Sequence, residues 1–163
     1  MNKKDSTETC QIQNLHNAKS IGLLMEISKT AEILNNINDK FYKKFKLTRV
    51  QFKALLFLYS CTSEGITLSS ISEKMDITRP TTTSLIDRMV ASGLAERVDN
   101  EDDRRSIRVI ITDKGKEIMK EVLPDNEVFK STILDFLTET EIETAYKLTM
   151  KIKQGLIKKY LKD

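Results

Sequence analysis

The stretch from Ile66 to Thr112, ITLSSISEKMDITRPTTTSLIDRMVASGLAERVDNEDDRRSIRVIIT, decides the fold. Thr67 can accept from the free N–H groups of a first helical turn, and Leu68, Ile71 and Met75 then share one face. Met75, Asp76 and Ile77 make a tight turn. Thr78 is placed to cap a second helix, with Pro80 in its first turn, where a missing N–H costs nothing. Leu85, Ile86, Met89 and Val90 form the buried stripe of that helix, and Gly93 suits a left-handed C-terminal residue. Two strand-like runs follow, residues 94–98 and 107–111, which alternate in character. Between them lies the charged segment 99–106.

Helix, turn, helix and β-ribbon is the order of a winged helix-turn-helix, a module that lays its second helix in a DNA major groove. The apolar stripe leaves Arg79, Thr81, Thr82, Ser84 and Arg88 off the buried face. Hydroxyls suit phosphates and base edges, threonine methyls suit the thymine methyl, and guanidinium forks suit guanine or phosphate. Arg97, Arg104, Arg105 and Arg108 lie in or beside the hairpin, whose tip can enter the narrow minor groove. Asp102 or Asp103 is expected to pair with one of them and hold the loop. The plainer readings are a solvated helix face and a surface ion-pair cluster, the latter typically worth only about 0 to 1 kcal/mol per pair.

These residues resemble the MarR-type regulators. The matching segments are Leu68-Ser69-Ser70-Ile71-Ser72-Glu73-Lys74-Met75, Ile77-Thr78-Arg79-Pro80-Thr81-Thr82-Thr83, Leu85-Ile86-Asp87-Arg88-Met89 and Gly93-Leu94. Above all they include Asp103-Arg104-Arg105-Ser106, followed by Val109, Thr112, Lys114 and Gly115. The resemblance covers about residues 20 to 160 and rests on the ordered combination. It implies a dimeric, one-component transcription regulator in which the helix after Thr78 reads the major groove and Arg105 reaches the minor groove. Ser84 departs from the pattern, standing where similar proteins often carry a longer basic or polar side chain.

A chain of 163 residues suffices for one domain with a real core, although 39% apolar and 6% aromatic content make that core lean enough to gain from a dimer interface. No apolar run approaches a membrane span and residues 1–13 are polar, so the expectation is a cytoplasmic protein with no membrane partner. Cys10 and Cys61 are too few for a disulfide scaffold or zinc site. His16 cannot make a metal site alone. Asp99, Glu101, Asp102 and Asp103 lack the glycine and terminal glutamate of a calcium loop. No glycine-rich phosphate loop, nucleophile with a histidine partner or metal cluster supports an enzyme, and no cofactor is expected.

The net charge of +3 says little about nucleic acid, but its distribution says more. Lys40, Lys43, Lys44, Lys46, Arg49 and Lys53 form a run without an acid, placed to touch a phosphate backbone. Residues 76–112 carry six arginines against seven acids, so a reading module there must work by placement of its arginines rather than bulk charge.

In chain order, residues 1–17 form a polar N-terminal arm, partly disordered or a frayed helix start. Leu24, Ile27, Ala31, Leu34, Phe41 and Phe45 share a face of a long helix over about 18–46. Thr48 and Gln51 make a capping box, with Phe52, Leu55, Leu56 and Tyr59 as the next inner stripe. Residues 63–65 turn, and Ile66 is expected to bridge to the wing as a third strand. Thr112 and Asp113 cap a helix with Ile118, Val122 and Leu123 inward, which Pro124 ends or kinks. Phe129, Ile133, Phe136 and Leu137 continue helical spacing. Thr138 and Glu141 open a final helix carrying Ile142, Ala145, Thr149, Ile152, Leu156 and Tyr160.

The expected architecture is therefore mainly α with a small β-hairpin wing, six helices in all. Residues 47–112 form the winged helix-turn-helix module, and residues 18–46 with 113–163 form a helical dimerisation region. The expected function is sequence-specific regulation of transcription, chiefly repression, by a homodimer on an inverted repeat in double-stranded DNA. A small aromatic or lipophilic effector near Phe41, Phe45, Phe52, Phe57 and Tyr59 is one mode of control, against the plainer reading of ordinary core. Cysteine oxidation is another, against two ordinary thiols. The rival is a winged helix used only for protein docking, without salt-dependent DNA affinity.

Overall fold

A computed structural model describes residues 3–61, 64–100 and 106–161, with side chains described from residue 18 onward. Among these residues the order is α1 (Lys3–Lys43), α2 (Arg49–Tyr59), β1 (Ile66–Thr67), α3 (Leu68–Met75), α4 (Arg79–Ala91), β2 (Ala95–Asp99), β3 (Ile107–Ile111), α5 (Asp113–Thr132) and α6 (Glu139–Tyr160). The chain divides into two units, Met1–Met119 and Lys120–Asp163.

In the first unit, α1 begins at Lys3 rather than near residue 18. No proline interrupts it and its one glycine is Gly22, so a helix nucleated downstream propagates back at little cost per residue. Among its residues whose side chains are described, burial is confined to the C-terminal end: Phe41 and Tyr42 join Leu47 and Phe52 in the core, with the Tyr42 and Phe52 rings stacked at 4.4 Å between centroids. Burial pushes the Tyr42 phenol above its ordinary value, partly opposed by the Arg49 guanidinium. Arg49 donates to the Asn35 side chain and lies 3.9 Å from Asp39, fastening the start of α2 to α1.

Helix α2 opens with the expected capping box, Thr48 with Gln51. Its inner stripe is Phe52, Ala54, Leu55 and Leu58, whereas Leu56 and Tyr59 are exposed, which corrects the stripe expected from sequence. Phe52, Leu55 and Leu58 advance by three residues each, so the buried line drifts across the helix and takes in Ala54 instead of Leu56. Leu55, Ile71, Leu85, Ile86, Met89 and Val109 are essentially inaccessible. Each fully buried aliphatic side chain of this kind contributes roughly 1.5 to 3 kcal/mol.

The sheet runs β1-β3-β2, antiparallel throughout. Val109 of β3 stands between Ile66 and Arg97, so the two-residue β1 supplies the third strand expected at Ile66. Gly115, in the first turn of α5, packs against the Leu94 carbonyl and the Ile111 side chain, an approach that any Cβ would block.

Helix α5 continues through Pro124 to Thr132, so the proline does not end it. The ring withdraws the bond that the Lys120 carbonyl would accept, a local loss that the helix tolerates. Within the first unit its inward residue is Met119, with Ile118 half-buried. In the second unit Val122 and Asn126 are buried, Leu123 is half-buried, and the helical spacing stops at Thr132, leaving Phe136 exposed in the following turn. Helix α6 opens with the Thr138 and Glu141 capping box, which draws the Glu141 carboxyl below its ordinary value through hydrogen bonds from the Thr138 backbone and hydroxyl. It buries no residue, and Tyr146 and Leu148 stand more than half exposed.

Candidate nucleic-acid interface

Helices α3 and α4 are joined by three residues whose geometry is fixed locally. Asp76 takes the left-handed conformation that ends α3, at φ 53° and ψ 50°. The Ile77 N–H donates to the Ser72 carbonyl at 3.1 Å, and the Thr78 side chain then accepts from the Thr81 N–H to start α4. At the far end, Gly93 at φ 70° donates to the Val90 carbonyl and Leu94 to the Met89 carbonyl, the paired bonds of a Schellman stop. The Thr112 hydroxyl donates to the Gly93 carbonyl at 2.6 Å and Lys114 Nζ to the Ser92 carbonyl at 2.7 Å, which fixes the end of α4 beside the start of α5.

This frame leaves Arg79, Thr81, Thr83, Ser84 and Arg88 of α4 exposed. Thr81 keeps a hydroxyl contact of 2.8 Å to Thr78, and the Thr83 hydroxyl donates to the Arg79 carbonyl. Thr82 does not belong with them. It is wholly buried, its Oγ1 lying 2.8 Å from Ser72 Oγ, which corrects its expected place on the outward face. Thr82 precedes Leu85, Ile86 and Met89 by three, four and seven residues, so it continues the apolar stripe toward the N-terminus. Counting from Leu85 backwards would have found it; treating the hydroxyl as a surface marker hid it.

Arg97 Nη2 meets Asp87 Oδ1 at 2.8 Å, joining β2 to α4. Arg108 Nε donates to Asn100 Oδ1 at 2.9 Å, and its Nη1 lies 3.5 Å from Glu64. Both arginines therefore brace the sheet. Arg104 and Arg105, with the Asp102 or Asp103 pairing expected for them, lie outside the described residues. A cleft of about 360 Å³ opens between the start of α3, α4 and the start of β3, lined by Thr67, Ser69, Arg79, Thr83 and Ser106 with Leu68 and Ile107. Its hydroxyls and guanidinium are the chemistry that backbone phosphate oxygens take.

The aromatic residues considered for an effector are distributed differently. Phe41 and Phe52 are core, Phe45 packs on Phe41 with centroids 5.6 Å apart, and Lys74 covers the Phe57 ring. Tyr59 instead lines a separate cleft of about 330 Å³ with Leu58, Cys61, Gly65, residues 109–111 and Lys116. Cys61 is a half-buried free thiol, while Cys10 and His16 lie outside the residues whose side chains are described. No group of metal-binding side chains occurs among the described residues, and no helix there is long and apolar enough to cross a membrane.

Residues 47–107, which include α2 to β2 and reach the start of β3, match the family model described as the MarR family. YsmB, an HTH-type transcriptional regulator of Bacillus subtilis (strain 168), is 30% identical over 129 residues, covering 79% of this chain and 87% of YsmB. The crystal structure of a MarR-like transcription regulator from Bacillus cereus ATCC 10987 is similar with a TM-score of 0.75 at 25% identity, over 85% of this chain and 98% of that one. S. aureus MepR, in a crystal structure of its DNA complex, shares the fold with a TM-score of 0.72 at 21% identity, over 80% of this chain and 95% of its own. With that identity and coverage laid over the α3-α4 pair and its three-stranded wing, the chain belongs to the MarR family.

Proposed function

We propose that the chain is a sequence-specific DNA-binding transcription regulator, a cytoplasmic repressor without catalytic activity, acting as a homodimer on an inverted repeat. The observation that carries this reading is the exposed set Arg79, Thr81, Ser84 and Arg88 on α4, presented by a helix whose opposite side is core. Thr83 joins that set, and the cleft holding Ser69, Arg79, Thr83 and Ser106 seats a backbone phosphate. Arg104 and Arg105 enter the minor groove from the wing tip. MepR, which has the same fold, forms a complex with DNA.

Residues 47–112 form the reading module. Residues 18–46 and 113–163 supply the dimer contacts, through apolar side chains that stand exposed in the single chain on α1 and, separately, on α6. Two copies of α4 held about 34 to 36 Å apart enter successive major grooves on one side of B-DNA. A small lipophilic or aromatic ligand that alters this spacing controls binding.

Selection of bound sequences from random duplex DNA tests the reading. The expected result is an enriched inverted repeat, bound with steep salt dependence and weakened by Arg105→Ala. Absence of any enriched sequence, with affinity insensitive to salt, overturns it.

A further inference from the structure

We infer that Ser72 and Thr82 form a buried hydroxyl latch that sets how α4 is seated on α3, making Thr82 a positioning residue for base reading. The inference rests on the proposed reading of DNA by α4 and assigns that reading a control point beneath the contact surface.

Thr82 has no accessible surface and Ser72 is 8% exposed, yet both carry polar oxygens facing one another across the helix pair. Besides the 2.8 Å contact between them, Ser72 Oγ lies 2.9 Å from the Leu68 carbonyl and Thr82 Oγ1 lies 3.1 Å from the Thr78 carbonyl. Two hydroxyl protons serve three contacts, and at the 2.8 Å separation of a shared proton one of them bridges the helices while the other reaches a backbone carbonyl. The Ser72 carbonyl also accepts the Ile77 N–H of the connecting turn. One residue of α3 thus holds both the turn and the second helix.

The distance gives this pair a consequence that an apolar contact would lack. Oxygen atoms sharing a proton approach to 2.8 Å, whereas a methyl group against an oxygen needs roughly 3.5 Å. Thr82→Val has nearly the same shape but cannot accept or donate there, so it separates the helices by several tenths of an ångström. Thr81 and Ser84, on the outward side of the same two turns, move with the backbone. Base-edge hydrogen bonds fall steeply with such displacement, while long cationic side chains follow the phosphates and keep non-specific affinity.

The test compares wild type, Thr82→Val and Thr82→Ser on the duplex that the wild type selects and on an unrelated duplex of equal length, with thermal unfolding of each protein. Thr82→Val is expected to lower the selectivity ratio about tenfold, the scale of one disturbed hydrogen bond, with its salt slope unchanged. Thr82→Ser keeps the hydroxyl and loses a buried methyl, so it unfolds at lower temperature yet retains selectivity within about twofold. Wild-type selectivity in Thr82→Val, or an equal loss in Thr82→Ser, overturns the latch and leaves DNA reading standing. A wild-type protein that prefers no duplex overturns both.

Discussion

Arg97 on β2 and Asp87 on α4 meet at 2.8 Å, so the wing and the exposed helix share a charged contact as well as a common core. Asp87 stands beside Arg88 in sequence, and its carboxylate turns toward β2 rather than toward the proposed DNA surface. An unpaired Asp87 would place negative charge near phosphates. Asp87 and Arg97 side chains are 54% and 32% exposed, so solvent screening limits the pair to about 1 kcal/mol of stability or less.

Asp87→Asn should therefore cost little in urea unfolding. Its effect on DNA binding should be coupled to that of Arg97→Gln. In a double-mutant cycle the two substitutions together are expected to cost less than the sum of each alone. Strict additivity in both stability and binding would show that the contact neither holds the wing nor tunes the surface.

Gly115→Ala should destabilise the fold by about 1 to 3 kcal/mol, the usual cost of forcing atoms into a filled site. The added Cβ would collide with the Leu94 carbonyl and come within 2.7 Å of Ile111 Cγ1. The first of these is backbone at the end of α4, and it cannot turn aside as a side-chain tip can. A denaturation midpoint equal to wild type would mean that α5 shifts freely on the sheet.

The reading module was legible in the sequence because its signals are local. Thr67, Thr78 and the Thr48 and Gln51 pair cap the helices they precede, and Gly93 takes the positive φ that a helix stop needs. Which hydroxyl of Thr81, Thr82 and Thr83 faces inward was not legible from residue type, only from the spacing of Thr82 before Leu85, Ile86 and Met89, and its partner Ser72 on another helix was not legible at all. The roles of Arg97 and Arg108 were hidden for the same reason: their partners Asp87, Asn100 and Glu64 come from α4, from just after β2 and from the turn before β1. The α2 stripe failed at Leu56 because helical spacing alone permits two neighbouring faces, and the packing of β3 and α1 selects between them.

Glu141 gives α6 a defined pH response. Its carboxyl is held below the usual range by the Thr138 backbone and side-chain hydrogen bonds, so the folded value is lower than the unfolded one. The cap's contribution is complete above the ordinary glutamate range and is lost as pH falls through the lowered value. Helical circular dichroism should accordingly show an acid transition that is diminished in Glu141→Gln, which can accept the same bonds without titrating. An identical acid profile in the two proteins would assign the transition to other carboxylates.

Arg79 and Ser84 should separate affinity from preference. Arg79→Ala is expected to weaken all duplexes by a similar factor and to reduce the salt slope by about 1, as a phosphate contact does. Ser84→Ala should leave the slope unchanged and alter preference at one base position, by about 1 to 3 kcal/mol if the serine makes a full base contact. Reversal of the two patterns would exchange their roles on α4.

The apolar residues exposed along α1 are the last point of leverage. Ile21, Leu24 and Met25 lie together on one side of the helix, each about half exposed in the single chain. Helices that keep such a face in water lose roughly 1.5 to 3 kcal/mol for every fully exposed side chain that a partner could have covered, and about half of that where the side chain is already half covered. Leu24→Glu would place a carboxylate on that face, and Tyr146→Glu would do the same on α6, where Tyr146 is 65% exposed. Each should raise the dimer dissociation constant at least tenfold in sedimentation equilibrium, on the scale of losing one such side chain. Affinity for the full inverted repeat should fall with it, while affinity for a single half-site stays constant, because the reading module remains folded. A variant that stays dimeric at wild-type strength would free its own face from the interface, and if both do, another surface must set the spacing of the two α4 helices.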